Sequence, residues 1–163
     1  MLLLSSQNIA RYIIYLDNDP LDLSKPDVTE DLMSNGNIIL TLFDETILTE
    51  SSVRVFLNPF SGSFKSQPIS NITFIMDIII PNEYWILSGL GQLRSFRIAD
   101  EFSQLIDQKN VAGLGEVSIE NFKSYKVNAT YSGLTLFIEV NSSTLKGLRE
   151  WKNLNIFSLN LTT

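Results

Sequence analysis

The 163-residue sequence contains neither cysteine nor histidine. Without cysteine, the chain has no disulfide framework, no thiolate nucleophile and no cysteine-ligated zinc site. Without histidine, it lacks the commonest general base and the commonest metal ligand, so Ser-His-Asp and Cys-His catalysis are excluded. Carboxylate chemistry stays open, in the form of a glycosidase pair or an oxygen-ligated magnesium site.

Long apolar runs and basic charge are also scarce. The longest apolar run, around Ile78–Ile80, is interrupted by Asp77 and Pro81, and a membrane helix needs about 20 residues. No basic residue precedes the short apolar run at the N-terminus, so we expect no signal peptide and a soluble protein made in a cytoplasm. The net charge of -6 argues against a basic nucleic-acid-binding stripe and would repel a phosphate backbone.

Hydrophobic residues make up 44% of the chain, and charged residues 18%. This composition predicts a globular fold with a sizeable core. We place a single α+β domain at residues 1–143 and a C-terminal extension, a short helix and a strand, at residues 144–163. The glycines of Ser88–Gly91 lack the spacing of a phosphate-binding loop, so no nucleotide, other cofactor or metal ion is expected.

The stretch from Ile69 to Asp107 organises the chain. Its first part alternates apolar residues on both faces up to Ile80, which predicts a central strand with material packed on each face. A helix is predicted from about Gln92 to Asp107 by residues at helical spacing. They are Leu93, Phe96, Ala99, Phe102 and Ile106.

The remaining elements surround this scaffold. An N-terminal helix is predicted to begin after Ser5 or Ser6 and to end near Leu16. Further strands are predicted at 38–43, 53–57, 116–127 and 134–140, the first two pairing antiparallel, with a bulge near Asn121. Residues 20–33 and 109–115 are predicted to be loops, and a break in the sheet is predicted at 58–63.

Asp77 is a carboxylate within an apolar strand, so it needs a partner. A charge pair with Arg94 or Arg97 is the favoured prediction, with a solvent- or subunit-facing position as another; a general acid/base or metal-ligand role is the functional alternative. Arg94, Arg97 and Glu101 are predicted on the outer face of the helix. There they would be solvated or would form a salt bridge between subunits.

Two further groups are candidates for subunit contact. Phe60 and Phe64 lie in a segment rich in Gly, Ser and Pro. We expect these two rings either to fold back over the core or to form an interaction site. Leu154 and Ile156 alternate in a terminal strand that pairs with its own sheet or with another chain.

The second half of the chain resembles the tail terminator, or tail completion, proteins of long-tailed bacteriophages. The resemblance is carried by Met76–Asn82, where a hydrophobic strand ends at a proline, by the helix Leu93–Asp100, and by Tyr131–Leu136, which opens with Tyr-X-Gly. These are packing patterns, and they cover about half of the chain.

The resemblance implies a virion protein of the phage neck, assembled in the host cytoplasm, that forms a homo-oligomeric ring, usually a hexamer. Such a ring caps the tail tube protein and joins it to the head-tail connector protein. DNA passes through the lumen without specific binding, and no membrane or catalytic residue is involved. An acidic lumen would let the DNA slide.

Three competing functions remain open. One is that of another phage ring component, either a head-tail adaptor or a tail tube subunit. Another is that of an enzyme that uses carboxylates alone, for which Asp77, Glu83 and Asp100 are the candidates. The last is that of a ligand-binding module built on aromatic residues, namely Phe60, Phe64, Tyr84 and Trp85.

Overall fold

The computed structural model describes residues 6–48, 50–64, 69–87, 91–111 and 115–141. Its helices are α1 (Gln7–Ile14) and α2 (Arg94–Ile106), with short 3-10 turns at Glu45–Ile47 and Asn82–Tyr84. Its strands are β1 (Ile38–Ile39), β2 (Arg54–Phe64), β3 (Ile69–Pro81), β4 (Ile86–Leu87), β5 (Gln92–Leu93), β6 (Lys109–Val111), β7 (Gly115–Lys126) and β8 (Tyr131–Asn141).

Six strands form one sheet in the order β1-β2-β3-β8-β7-β6, and β4 pairs with β5 apart from it. All neighbours in the large sheet are antiparallel except β1 and β2. Helices packed on a mostly antiparallel sheet confirm the predicted α+β class. The predicted antiparallel pairing of the first two strands is wrong, because residues 40–53 are long enough for a crossover that returns the chain in the same direction.

β3 is a central strand buried on both faces, as its sequence predicts. Met76, Ile78 and Ile80 belong to the main core, which they share with the two helices. We call this side of the sheet the helix face. On the opposite face, Ile79 packs with Phe56 in a second, smaller cluster.

Each helix buries one stripe in the main core. The Ser6 side chain accepts a hydrogen bond from the Ile9 N–H and so caps α1 as predicted. In α2, the buried stripe differs from the predicted one: Phe96 is 36% exposed. The buried residues are Arg94, Ser95, Ile98, Ala99, Phe102 and Ile106.

β2 continues through the segment that was predicted to break the sheet. Pro59 is tolerated because it lies on an outer strand, and the register with β3 shifts between Pro59 and Ser61. β1 covers only Val55 and Phe56 of β2. The predicted strand at 38–43 likewise shortens to the two residues of β1.

The β7–β8 hairpin forms where the sequence predicts it, with a bulge between Ile119 and Asn121. The predicted loop at 109–115 contains a strand, β6, which pairs with the start of β7. At Gly133 of β8, an added Cβ would lie 2.6 Å from the ring of Tyr125. This glycine therefore gives the ring room to lie across its neighbouring strand.

Candidate interaction surface

Asp77 lies on the opposite face of the sheet, in the row that also contains Thr135 of β8 and Lys123 of β7. Its Oδ1 accepts hydrogen bonds from the Thr135 hydroxyl and, at 3.1 Å, from the Tyr125 hydroxyl. The predicted charge pair with an arginine is therefore wrong. Burial and the nearby Asp77 charge raise the pKa of Tyr125, so its hydroxyl stays protonated and able to donate.

Arg94 is fully buried, at 0% exposure, and not on the outer face of α2 where it was predicted. Its guanidinium donates to the carbonyl oxygens of Tyr12 and Tyr15 at 2.8 Å each, to that of Tyr84 at 3.0 Å, and to that of Asp17. Two of these carbonyls close the C-terminal end of α1, where a cation also complements the helix dipole. Burial lowers the pKa of Arg94.

Arg97 and Glu101 lie nearer the surface of α2 than Arg94, and each contacts a residue of α1. Arg97 donates to the Tyr12 hydroxyl at 3.2 Å and contacts Asp100 at 3.4 Å. Glu101 accepts a hydrogen bond from Asn8 of α1 at 3.1 Å. Both side chains thus tie the two helices together.

The other predicted contact residues differ in how far the structure describes them. Phe60 is 61% exposed on β2, so it does not fold back over the core. The backbone of Phe64 ends β2, while its side chain lies outside the described residues. Leu154 and Ile156, with the whole extension at 144–163, also lie outside the described residues.

Residues 17–31 form an acidic surface that we call the acidic lobe. It holds six acidic residues and one lysine, and Arg11 of α1 anchors it through the carbonyls of Asp22 and Lys25 and the carboxylate of Asp27. Hydrogen bonds from Ser24 hold the pKa of Asp22 below its usual value, so this carboxylate stays charged. At its surface Leu23 is 95% exposed.

A second exposed surface lies at the β7 edge of the sheet. Phe122 is 58% exposed, and its ring meets that of Phe96 edge to face, with 5.3 Å between centroids. Ser124 and Lys126 are exposed beside it on the same face of β7. We call these four residues, Phe96, Phe122, Ser124 and Lys126, the aromatic patch.

The aromatic patch was not predicted from the sequence, although one signal was present. Phe122 departs from the alternation of its strand, and the bulge before it turns its side chain to the helix face. Phe96 was assigned to the core because it fits a three-residue spacing. Ile98, Phe102 and Ile106 continue a four-residue spacing from Arg94 instead, and this spacing leaves Phe96 outside.

The described residues form neither a metal site nor an exposed platform of Tyr84 and Trp85. They contain no group of three or more residues able to hold a metal ion. Tyr84 and Trp85 are half-buried and pack against the main core. No helix in the described ranges is long and apolar enough to cross a membrane.

Comparison with curated proteins gives no match. A family model does match, and it covers residues 6–140, which include both helices and all strands of the large sheet except the last residue of β8. The match spans well over half of the chain. The chain therefore belongs to the YomW family, a family derived from Bacillus phages.

Proposed function

We propose that this protein is a ring-forming tail terminator of the phage neck. In this role, copies of the chain close a ring on the end of the tail tube, join it to the head connector and leave a passage for DNA. Such a protein is a structural part of the virion and needs no catalytic residues. The membership of this chain in a family derived from Bacillus phages supports a role in a phage life cycle.

The observation that carries the proposal is the pair of open edges on the large sheet. β1 covers two residues of β2, and β6 covers three residues of β7. Most of both long strands therefore presents an outer edge without a strand partner in the described part of the chain. Because the two edges lie at opposite ends of the strand order, neighbours on both sides of a subunit could close a ring.

Charge supports the passage of DNA. The chain carries 18 acidic and 12 basic residues, and repulsion between acidic surfaces and phosphates lowers non-specific affinity for DNA. An acidic lumen would let DNA slide without a tight complex. A map of an assembled ring with a basic lumen would contradict this part of the proposal.

A tail tube subunit is the second candidate, and the β2–β3 hairpin favours it. The two strands are 11 and 13 residues long, and Phe60, Ser61 and Gly62 are exposed near the tip. A long exposed hairpin is the element that neighbouring subunits would need to build a continuous barrel.

Deletion of the gene from the phage separates the candidates. Loss of a terminator leaves the tube without a cap, so we expect tubes of uncontrolled length and heads without joined tails. Loss of a tube subunit would instead abolish tubes. Loss of a head-tail adaptor would leave tails of normal length that fail to join heads. Electron microscopy of lysates distinguishes the three outcomes, and restored virions after complementation provide the control.

A further inference from the structure

We propose that the aromatic patch of one copy binds the acidic lobe of a second copy, so that copies of this chain join head to tail. The inference rests on the proposed ring and names the contact that builds it. Its occupant is a second copy because this chain carries both complementary surfaces.

Apolar anchors are present on both sides of the proposed contact. Phe96 and Phe122 form an exposed edge-to-face pair on α2 and β7. Leu23 projects from the lobe at 95% exposure. Aromatic residues at the centre of a charged rim are typical of protein interfaces, where they supply most of the binding free energy.

The charges of the two surfaces are opposite. The patch contains Lys126 and no acidic residue, whereas the lobe contains six acids and a single lysine. That lysine, Lys25, is already paired with Asp17 within the lobe. Asp22 and Glu30 are exposed there, so the lobe offers carboxylates to Lys126 of a neighbouring copy.

The backbone of β7 adds donors to the patch. Val127 donates its N–H inward, to the Tyr131 carbonyl at 3.0 Å. Because the direction alternates along a strand, Lys126, Ser124 and Phe122 direct their N–H groups outward. Within the described ranges, no strand pairs with this part of the edge.

A carboxylate already binds the same edge within one chain. The Asp107 side chain accepts the outward N–H of Ile119 at 2.9 Å. This bond shows the type of contact that a lobe carboxylate would make three residues further along the strand. It also separates the open part of the edge from β6.

The placement of the surfaces favours a head-to-tail contact. The lobe leads into β1, since the Leu32 carbonyl accepts hydrogen bonds from the N–H groups of Asn37 and Ile38. β1 and β7 lie toward opposite edges of the large sheet. A two-fold contact between two patches would instead bring Lys126 of one copy toward Lys126 of the other, which is unfavourable.

Cross-linking tests the contact directly, because the natural chain has no cysteine. We would prepare the full chain with Leu23→Cys and Ser124→Cys together and treat it with a short bis-maleimide, alone and with tail tubes. The expected result is a ladder of covalent oligomers in steps of 18.4 kDa. Each single-cysteine variant is the matched control, and we expect it to yield little more than monomer.

Mixing two defective variants gives an independent readout. Phe122→Asp disables the patch and Leu23→Asp disables the lobe, so we expect each variant to stay monomeric. Mixed together, they retain one intact patch and one intact lobe, so a species of about twice 18.4 kDa should appear. Circular dichroism spectra that match the unmodified chain establish that both variants fold.

The outcomes separate this contact from the ring itself. Rings that form without the ladder, or that persist in both variants, overturn the contact and leave the proposed function intact. No ladder and no assembly, even with tail tubes, overturn both.

Discussion

Replacing Arg94 with methionine should destabilise the chain more than any surface change on α2. The guanidinium donates to four backbone carbonyls, and methionine fills a similar volume but donates to none. The bond to the Tyr12 carbonyl is buried, while the other three are partly buried. Water can therefore replace the lost donor at some of these positions but not at Tyr12.

The size of the expected loss in the free energy of unfolding follows from these hydrogen bonds. A buried carbonyl left without a donor costs about 1–3 kcal/mol, and each partly buried one costs less. Removing the guanidinium also removes its desolvation penalty, which is the cause of its lowered pKa. The net loss in the free energy of unfolding should be about 2–4 kcal/mol, a large share of the roughly 5–15 kcal/mol typical of a domain.

Urea denaturation followed by circular dichroism measures this loss as a lower midpoint. Arg97→Met is the matched control, since Arg97 lies on the same helix and is partly exposed, and we expect a change within about 1 kcal/mol. The urea midpoint of Arg94→Lys should lie between those of Arg94→Met and Arg97→Met. The lysine ammonium keeps three donors but lacks the planar fork of the guanidinium. If Arg94→Met and Arg97→Met shift the midpoint equally, the proposed role of Arg94 is refuted.

Three further predictions concern the cluster around Asp77. Gly133→Ala places a methyl group against the Tyr125 ring and should cost about 1–3 kcal/mol in urea denaturation, whereas Ser132→Ala beside it should be nearly neutral. Thr135→Val removes a hydroxyl from the buried carboxylate and should cost about 1–3 kcal/mol; equal losses for Thr135→Ser, which keeps the hydroxyl, would contradict the bond. The folded state raises the pKa of Tyr125, so its contribution to stability is full below the unfolded pKa of about 10 and is lost as pH rises above it. The unfolding free energy of Tyr125→Phe should therefore fall less steeply than that of the natural chain above pH ~10, and parallel curves would refute this.

The main features of the fold follow from local sequence pattern. Alternating apolar residues on both sides of β3 predict a central strand, because only burial on two faces makes that pattern favourable. The cap at Ser6 and the bulge before Asn121 are equally local. The pairing direction of β1 is not, since it depends on how residues 40–53 return the chain.

The interaction surface and the buried polar groups were harder to predict. Asp77 meets Thr135 and Tyr125, which are 58 and 48 residues away in sequence, and no local pattern joins them. Arg94 has the residue type of a solvated face, and its burial depends on carbonyls supplied by α1 and two turns. Phe122 was visible only as a departure from alternation, which does not indicate whether a side chain is exposed.

The mass of the purified protein in solution, measured by light scattering with and without tail tubes, tests the ring most directly. One chain has a mass of 18.4 kDa. We predict a single closed species at a multiple of that mass, either alone or after addition of tubes. A chain that stays at 18.4 kDa under both conditions would contradict a ring-forming component of the phage neck.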